Sequence, residues 1–285
     1  MKNNFFTSAL LGIFVLFIVS YLIALPSGTY WNTSHLPLML LSNAMIVILT
    51  GILIKNNTQR GWKLALTIFM ITFVIGHFNI LIEAYIFNVT DRTQTTDIIM
   101  QGLVLTLITS PLLVLIFGRW QGSGTKLLLT SRSALQWTWR IVLGDLLYLF
   151  FYLLAGFVLY SVYPQLMDFY GDKVPPFALM INTQFFRALL FIGIAYLINI
   201  TTDLSLIKRA LLTGAVFSVF GGIAPLIMPG DELMPAYIRF GHAFEVGISN
   251  FIYGIILTLL IGKKIVGQED SSTVHKTKLS SKIGS

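Results

Sequence analysis

The sequence predicts an all-α, polytopic integral membrane protein: a bundle of eight transmembrane helices with both termini cytoplasmic. Three observations carry this. The 285 residues are 55% hydrophobic and only 11% charged, with a mean hydropathy of +0.80, whereas a soluble domain carries about 25% charged residues. Apolar runs close to the ~20 residues that cross a bilayer core recur along the chain. Basic residues gather in alternate loops, as the positive-inside rule requires. A β-barrel is disfavoured, because its strands alternate with period two and these runs are continuous.

Taken in order, the first span covers about Ala9 to Leu25 and stops at Pro26-Ser27-Gly28. The second covers about Leu36 to Ile54 and the third Trp62 to Phe87. The fourth runs from Asp97 to Gly118, with Ser110-Pro111 as an expected kink, since proline lacks the N–H that an inner helical turn needs. The fifth runs from Trp139 to Val162, the sixth from Phe177 to Ile200, the seventh from Ile207 to Met228 and the eighth from Phe240 to Gly262. Residues 1–262 thus form one transmembrane unit, and 263–285 a basic cytoplasmic tail too polar to bury and expected to be disordered. The apolar run after Met1-Lys2-Asn3-Asn4 resembles a signal peptide, but it is long and lacks a small-x-small cleavage site, so a retained first helix is expected.

Charge sets the orientation. Lys2, Lys55, Arg60, Lys63, Arg119, Lys126, Arg132, Arg140, Lys208, Arg209, Lys263, Lys264, Lys276, Lys278 and Lys282 fall on one side. Arg92, Lys173 and Arg239 fall on the other, with Asp91, Asp97, Asp168, Asp172, Asp231 and Glu232; Arg187 lies inside a span and completes the 19. An odd number of spans would scramble this bias, so eight spans place both termini in the cytoplasm and the protein in the plasma (cytoplasmic) membrane. The pI of about 9.6 therefore does not indicate a nucleic-acid partner: no aromatic-basic interleaving lies on a polar face. The expected partners are the bilayer and a small-molecule or lipid ligand.

All five tryptophans (Trp31, Trp62, Trp120, Trp137, Trp139) fall at span edges, as an interfacial belt requires. Lys126 to Trp137 mixes leucine with Lys, Arg and Ser and is expected along the inner surface. Asn32-Thr33-Ser34 and Asn88-Val89-Thr90 match glycosylation acceptors on the outer side, a pattern that arises often by chance. The absence of cysteine removes disulfides, thiolate metal sites and a thiol nucleophile. No internal repeat is legible: Gly76-His77 and Gly241-His242 lie in the third and eighth spans, which do not correspond in a four-plus-four duplication.

Function rests on polar residues inside the spans, which are costly to keep there. They are His77, Glu83, Asp145, Arg187, His242 and Glu245. In a helix His242, Glu245, Ser249 and Tyr253 share a face, as do Thr72, Gly76, Asn79 and Glu83, while His77 points about 120° away from the latter. Helix rise places Glu83 and Glu245 roughly 6–9 Å below the outer boundary and Arg187 about 15 Å in, with a stem that reaches back toward them. Gln184 lies one turn above Arg187, and Gln101 at a similar depth in the fourth span. Glu83, Asn79, Gln101, Gln184, Arg187, Ser249 and Asn250 are therefore candidates for binding a substrate. The competing readings are structural: an ion pair joining three spans, a packing role for His77 and His242, an inner-rim role for Asp145, and helix–helix hydrogen bonds from Ser249 and Asn250. Gly214, Ser218, Gly222, Ala243, Gly247 and Gly254 read as small-residue packing stripes.

Three functions fit these groups. The first is a transporter or small-molecule binding protein with an outward-facing His/Glu/Arg pocket, proton-responsive because a carboxylate in low dielectric resists ionising. The second is an intramembrane hydrolase or transferase acting on a lipid or lipid-linked substrate, with His242 and Glu245 catalytic. Its metal-dependent form would draw on His242, Glu245, Glu83 and His77 as ligands. The third is a non-catalytic membrane subunit, including a haem carrier on His77 and His242, whose depths differ by about 8 Å. No cofactor is specified by the sequence.

Overall fold

A computed structural model of the chain describes residues 4–25, 35–129, 131–228 and 233–263. Pro26-Ser27-Gly28, Trp31, the Asn32-Thr33-Ser34 acceptor, Asp231, Glu232 and the tail beyond Lys263 fall outside the described residues. The described chain is all-helical, and eight of its helices are long and apolar enough to cross a membrane. They are α1 Phe5–Ala24, α2 Leu36–Lys55, α3 Gly61–Ile86, α4 Arg92–Ile116, α5 Ala134–Val162, α7 Phe177–Thr201, α8 Leu206–Ile227 and α9 Ala236–Ile261. A short helix, α6 Leu166–Tyr170, precedes a 3-10 turn at Gly171–Lys173.

α1, α4 and α5 begin four or five residues earlier than hydropathy predicts, and side-chain caps mark their starts; α9 begins four residues early, at Ala236 after Pro235, without one. The Asn4 carboxamide accepts from Phe6 N at the start of α1. Reciprocal capping boxes, Asp91 with Gln94 and Ser133 with Gln136, start α4 at Arg92 and α5 at Ala134; such a box satisfies two otherwise orphaned N–H donors. The expected kink at Pro111 leaves α4 a single α-helix from end to end.

Two helices carry a π turn, Val74–Phe78 in α3 and Val219–Ile223 in α8. In α8 Pro225 has no N–H to give, which leaves Gly221 O, four residues back, without that helical donor. The Asn250 carboxamide nitrogen supplies donors to Gly221 O at 3.3 Å and Phe217 O at 3.4 Å, and Ser42 Oγ donates to Ala224 O at 2.9 Å.

Contrary to the sequence reading, the bundle repeats itself. Gly61–Phe73 and its π turn at 74 are matched by Leu206–Ser218 and its π turn at 219, each 145 residues on (61 to 206, 74 to 219). Contacts between the halves obey the same shift. Thr58 N donates to Thr201 O (2.6 Å) while Asp203 N donates to Asn56 O (2.8 Å), and 58/203 and 56/201 are both 145 apart. Where the π turns meet, Gly76 faces Phe220 and Gly221 faces Ile75, again a reciprocal pair. Within the halves, Gly12 of α1 lies against Val47 and Leu113, and Gly144 of α5 against Ile192 and Leu257. α1–α4 and α5, α7, α8, α9 are thus two four-helix units in parallel orientation, related by a pseudo-two-fold axis that passes between the π turns. Gly12 and Gly144 are only 132 residues apart (12 to 144). The second unit therefore holds 13 more residues between α5 and the middle of α7, the segment that carries α6.

Among the described residues, 122–129 and 131–133 form no surface helix. They run extended across the ends of the helices, with Thr125 N on Thr58 O and Leu128 N on Ile200 O, both at 2.8 Å. Gly124 has no room for a side chain there, since a Cβ would lie 3.0 Å from Thr58 O. At this end several arginines serve main-chain carbonyls. Arg132 donates to Ile261 O and Gly262 O, Arg140 to Leu260 O, and Arg209 to Asn199 O and Lys263 O. Cations at a helix C-terminus satisfy carbonyls that have no helical partner. Beside the strap, burial first and then the charge of Arg60 lower the pKa of the Arg119 guanidinium.

Candidate functional site

At the end of the bundle opposite the arginine-rich strap, α3, α5, α7, α8 and α9 enclose a cavity of about 490 Å³. Most of its wall is apolar, with Ile80, Leu81 and Phe87 of α3, Phe151, Leu153 and Phe157 of α5, and Met180 of α7. Two polar groups of residues converge on it.

The first is built around Arg187, which is buried at 4% exposure. Its Nε donates to Asn79 Oδ1 at 2.8 Å, and Nη1 donates to Gln184 Oε1 at 2.9 Å and pairs with Glu83 Oε2 at 2.5 Å. The Tyr148 ring lies 5.9 Å from the guanidinium carbon, and Tyr152 of α5 reaches the same Glu83 carboxylate. The π turn in α3 explains which residues take part. It inserts one residue into the helical register, so the expected face Thr72–Gly76–Asn79–Glu83 is broken. Asn79 and Glu83 lie beyond the turn and stay together at Arg187. Thr72 bonds back to Ile68 O at 2.8 Å, and Gly76 meets Phe220.

The second group lies on α9. His242 Nδ1 is 3.1 Å from Glu245 Oε2, and its Nε2 is 2.9 Å from Tyr170 Oη. If Nδ1–H is given to the carboxylate, Nε2 accepts from the tyrosine hydroxyl, and both ring nitrogens are used. Burial first, and then the Glu83, Tyr160 and Glu245 charges, push the Tyr170 hydroxyl above the ordinary tyrosine range. Tyr170 is therefore a neutral donor. The tyrosine is held by the small cluster of Leu166 and Ile238 with Phe87, Val89 and Phe169.

The sequence-derived candidates thus divide. Glu83, Arg187, His242, Glu245, Ser249 and Asn250 line the cavity. Asn79 and Gln184 stand behind it and fix the guanidinium. Gln101 is not among the lining residues; Ile98, one turn earlier on α4, is. Asn250 serves the open carbonyls of α8, and Ser249 Oγ donates to Val246 O at 3.3 Å. His77 packs away from the cavity into the space left by Gly102, where a Cβ would lie 2.5 Å from the ring. The sets proposed for a metal (His77 with His242, Glu245 and Glu83) and for haem (His77 with His242) are therefore not assembled. Among the described residues no three His, Asp or Glu side chains gather as metal ligands. Asp145 lies beside Gly144, whose carbonyl accepts from Tyr253 Oη at 3.2 Å, and its Oδ1 is buried with no hydrogen-bond partner among the described residues.

Sequence reasoning missed Tyr170 and the tyrosines of α5. Tyr148, Tyr152, Gly156 and Tyr160 recur every four residues, a one-face pattern; from sequence, Tyr148 and Tyr152 fall only on the side of Asp145, as packing. Arg239, read as a surface charge, is buried; it donates to Met234 O at 3.0 Å and Leu226 O at 3.2 Å, and to Met228 O. It thereby joins the end of α8 to the start of α9. The class that fold and site define, among the described residues, is a helical protein with eight apolar, membrane-length helices and two polar groups of residues converging on an apolar cavity. The chain matches no protein-family model, no curated protein and no solved structure.

Proposed function

We propose that this is a multi-pass protein of the cytoplasmic membrane, with both termini cytoplasmic, which binds a small molecule in the cavity from the outer side and transports it with proton coupling. One observation supports the reading above others: two acid–base units from separate helices, Glu83–Arg187 and Glu245–His242–Tyr170, face the same apolar hollow. Apolar cavities with a few convergent polar groups are the usual form of ligand sites. Ionisable groups are kept in the interior of a bundle for a reason, since each is costly there. The parallel two-unit architecture is one that transporters use, with halves related by an axis along the membrane normal and a site between them.

The test is a proton-flux screen. Purified protein is placed in liposomes that hold a pH-sensitive dye and is given a panel of organic anions, cations and amphiphiles. At least one compound should move protons with the wild type, and Glu245→Gln should abolish the signal. Absence of proton movement with every compound, together with no compound-dependent thermal stabilisation, overturns the reading.

A second reading, an intramembrane transferase or hydrolase, is favoured by one feature. Tyr170–His242–Glu245 has the order nucleophile, base and orienter. Against it stands the raised Tyr170 pKa, because a buried phenol with carboxylates nearby resists giving up its proton. Tyr170→Phe separates the two: it eliminates turnover in an enzyme and leaves ligand binding largely intact in a carrier.

A further inference from the structure

We propose that the ligand of this cavity is an anionic amphiphile: a carboxylate or phosphate head held at Arg187 and a long apolar chain leaving the bundle past Leu153, Gly156 and Phe157 of α5. The proposal rests on reading the cavity as the ligand site and adds the class of ligand.

The head is assigned by what Arg187 has left to give. A guanidinium donates through a fixed fork of five N–H groups and suits carboxylate and phosphate. Nε and Nη1 are engaged by Asn79, Gln184 and Glu83. No hydrogen bond to Nη2 is made among the described residues, while Arg187 lines the cavity. His242 has both nitrogens engaged, and the Arg239 guanidinium serves the carbonyls of residues 226, 228 and 234. Asn79 and Gln184 turn their oxygens to Arg187, which leaves their amide nitrogens buried and unpartnered among the described residues. Two carboxamides are thus given over to holding the guanidinium still with Nη2 uncommitted.

The chain is assigned by the wall opposite. Leu153 and Phe157 line the cavity and are also 40% and 71% exposed on the outside of the bundle. A side chain that borders both spaces marks a place where they communicate. Between them Gly156 has nothing within 4 Å of where a Cβ would sit. The cavity follows α5 from Tyr148 to Tyr160, about 18 Å at 1.5 Å per residue. Its remaining walls are apolar: Ile80, Leu81 and Phe87. A small polar anion would leave these surfaces wet, and a volume of about 490 Å³ takes a head and part of a chain, so a longer chain must pass outward into lipid.

Glu83 shares the guanidinium with the incoming head, and two anions at that distance repel. The other titratable and charged groups that line the cavity are Tyr148, Tyr152, Tyr160, Tyr170, Arg187, Arg239, His242, Glu245 and Tyr253.

The experiment is photoaffinity labelling of the full chain in phosphatidylcholine nanodiscs, using a palmitate analogue with a diazirine at the chain end. Lysophosphatidate and alkylamine versions serve as the phosphate and cationic arms. Labelled peptides should map to residues 150–160 with one or both anionic probes, and which of the two labels decides between carboxylate and phosphate. The amine should label them at least about tenfold less. Arg187→Gln should cut anionic labelling about tenfold or more. Gly156→Leu, whose Cβ has nothing within 4 Å, should block the exit and do the same at an unchanged elution volume on size exclusion. Equal labelling by the amine, or anionic labelling unaffected by Gly156→Leu, overturns the proposal. Efficient competition by butyrate or inorganic phosphate also overturns it while leaving the cavity as a ligand site. A protein that neither labels nor responds in the proton-flux screen loses both readings.

Discussion

The two four-helix units differ most where they are most alike. In the first, Ser42 of α2 donates its hydroxyl to Ala224 O; 145 residues on, Arg187 of α7 donates to Asn79, the counterpart of Ala224. Counting on, Gln184 corresponds to Met39, and Glu83 to Met228. One crossing of the two units is thus closed by a hydroxyl, while the other holds a guanidinium, a carboxylate and two carboxamides. The 13 extra residues of the second unit lie on the polar side and supply Tyr170 to His242. The corresponding crossing in the first unit is made without an ion pair, so the two crossings separate what packing requires from what the charges add.

The predictions sharpen or break that contrast. The largest effect belongs to Glu83→Met, which installs the first unit's residue and strands Arg187. Removing one partner of a buried pair costs about 3–5 kcal/mol, and the low end applies because the Glu83 side chain keeps 30% exposure. The double change Glu83→Met with Arg187→Ser should recover most of the thermal stability measured in detergent and still bind no ligand. A double variant no more stable than the single one would show that the charges are structural.

Next comes Gly102→Ala, which drives a methyl into His77, 2.5 Å away. Overpacking of this kind costs about 1–3 kcal/mol. The counterpart of His77 is Gly222, so His77→Gly should rescue the variant if the two crossings are equivalent. Unfolding midpoints of the two single variants and the double variant decide this.

Asn250→Leu, which copies the counterpart Leu105, uncaps Phe217 O and Gly221 O beside the π turn of α8. Leaving buried carbonyls unsatisfied costs about 1–3 kcal/mol. It should also increase amide hydrogen exchange locally in 217–225, and unchanged exchange there would argue against the cap. The smallest effect is expected for Tyr170→Phe. The lost hydrogen bond is worth about 1 kcal/mol, a small change in unfolding midpoint, whereas the proton-coupled signal should change far more. A stability loss as large as that of Asn250→Leu would make α6 a structural prop.

Much of this was legible before any coordinates. Helix number, the acidic and basic loop bias and the face shared by His242, Glu245, Ser249 and Tyr253 follow from hydropathy, charge and a 3.6-residue period. The earlier starts of α4 and α5 were readable too, in Asp91-x-x-Gln94 and Ser133-x-x-Gln136. The repeat was not. Between residues 57 and 83 and their counterparts at 202–228 only seven of 27 positions agree: Lys63, Ala65, Leu66, Val74, Gly76, Leu81 and Ile82. Most of these are apolar letters that any two spans share. What survives is the spacing of glycines at helix crossings (Gly76 with Gly221, Gly102 with Gly247), because close backbone approach constrains residue size there and lipid-facing positions constrain only apolarity.

By itself the sequence determined that the chain is helical and apolar enough to cross a bilayer eight times, since length and hydrophobicity are local properties of each segment. It also marked the few polar side chains that such a setting makes costly. Only the tertiary structure decided which of them meet. The π turn in α3 shifts the helical register and separates Thr72 and Gly76 from Asn79 and Glu83. The pseudo-two-fold axis then sets Arg187 of one unit against Glu83 of the other, a pairing that no pattern within either segment encodes.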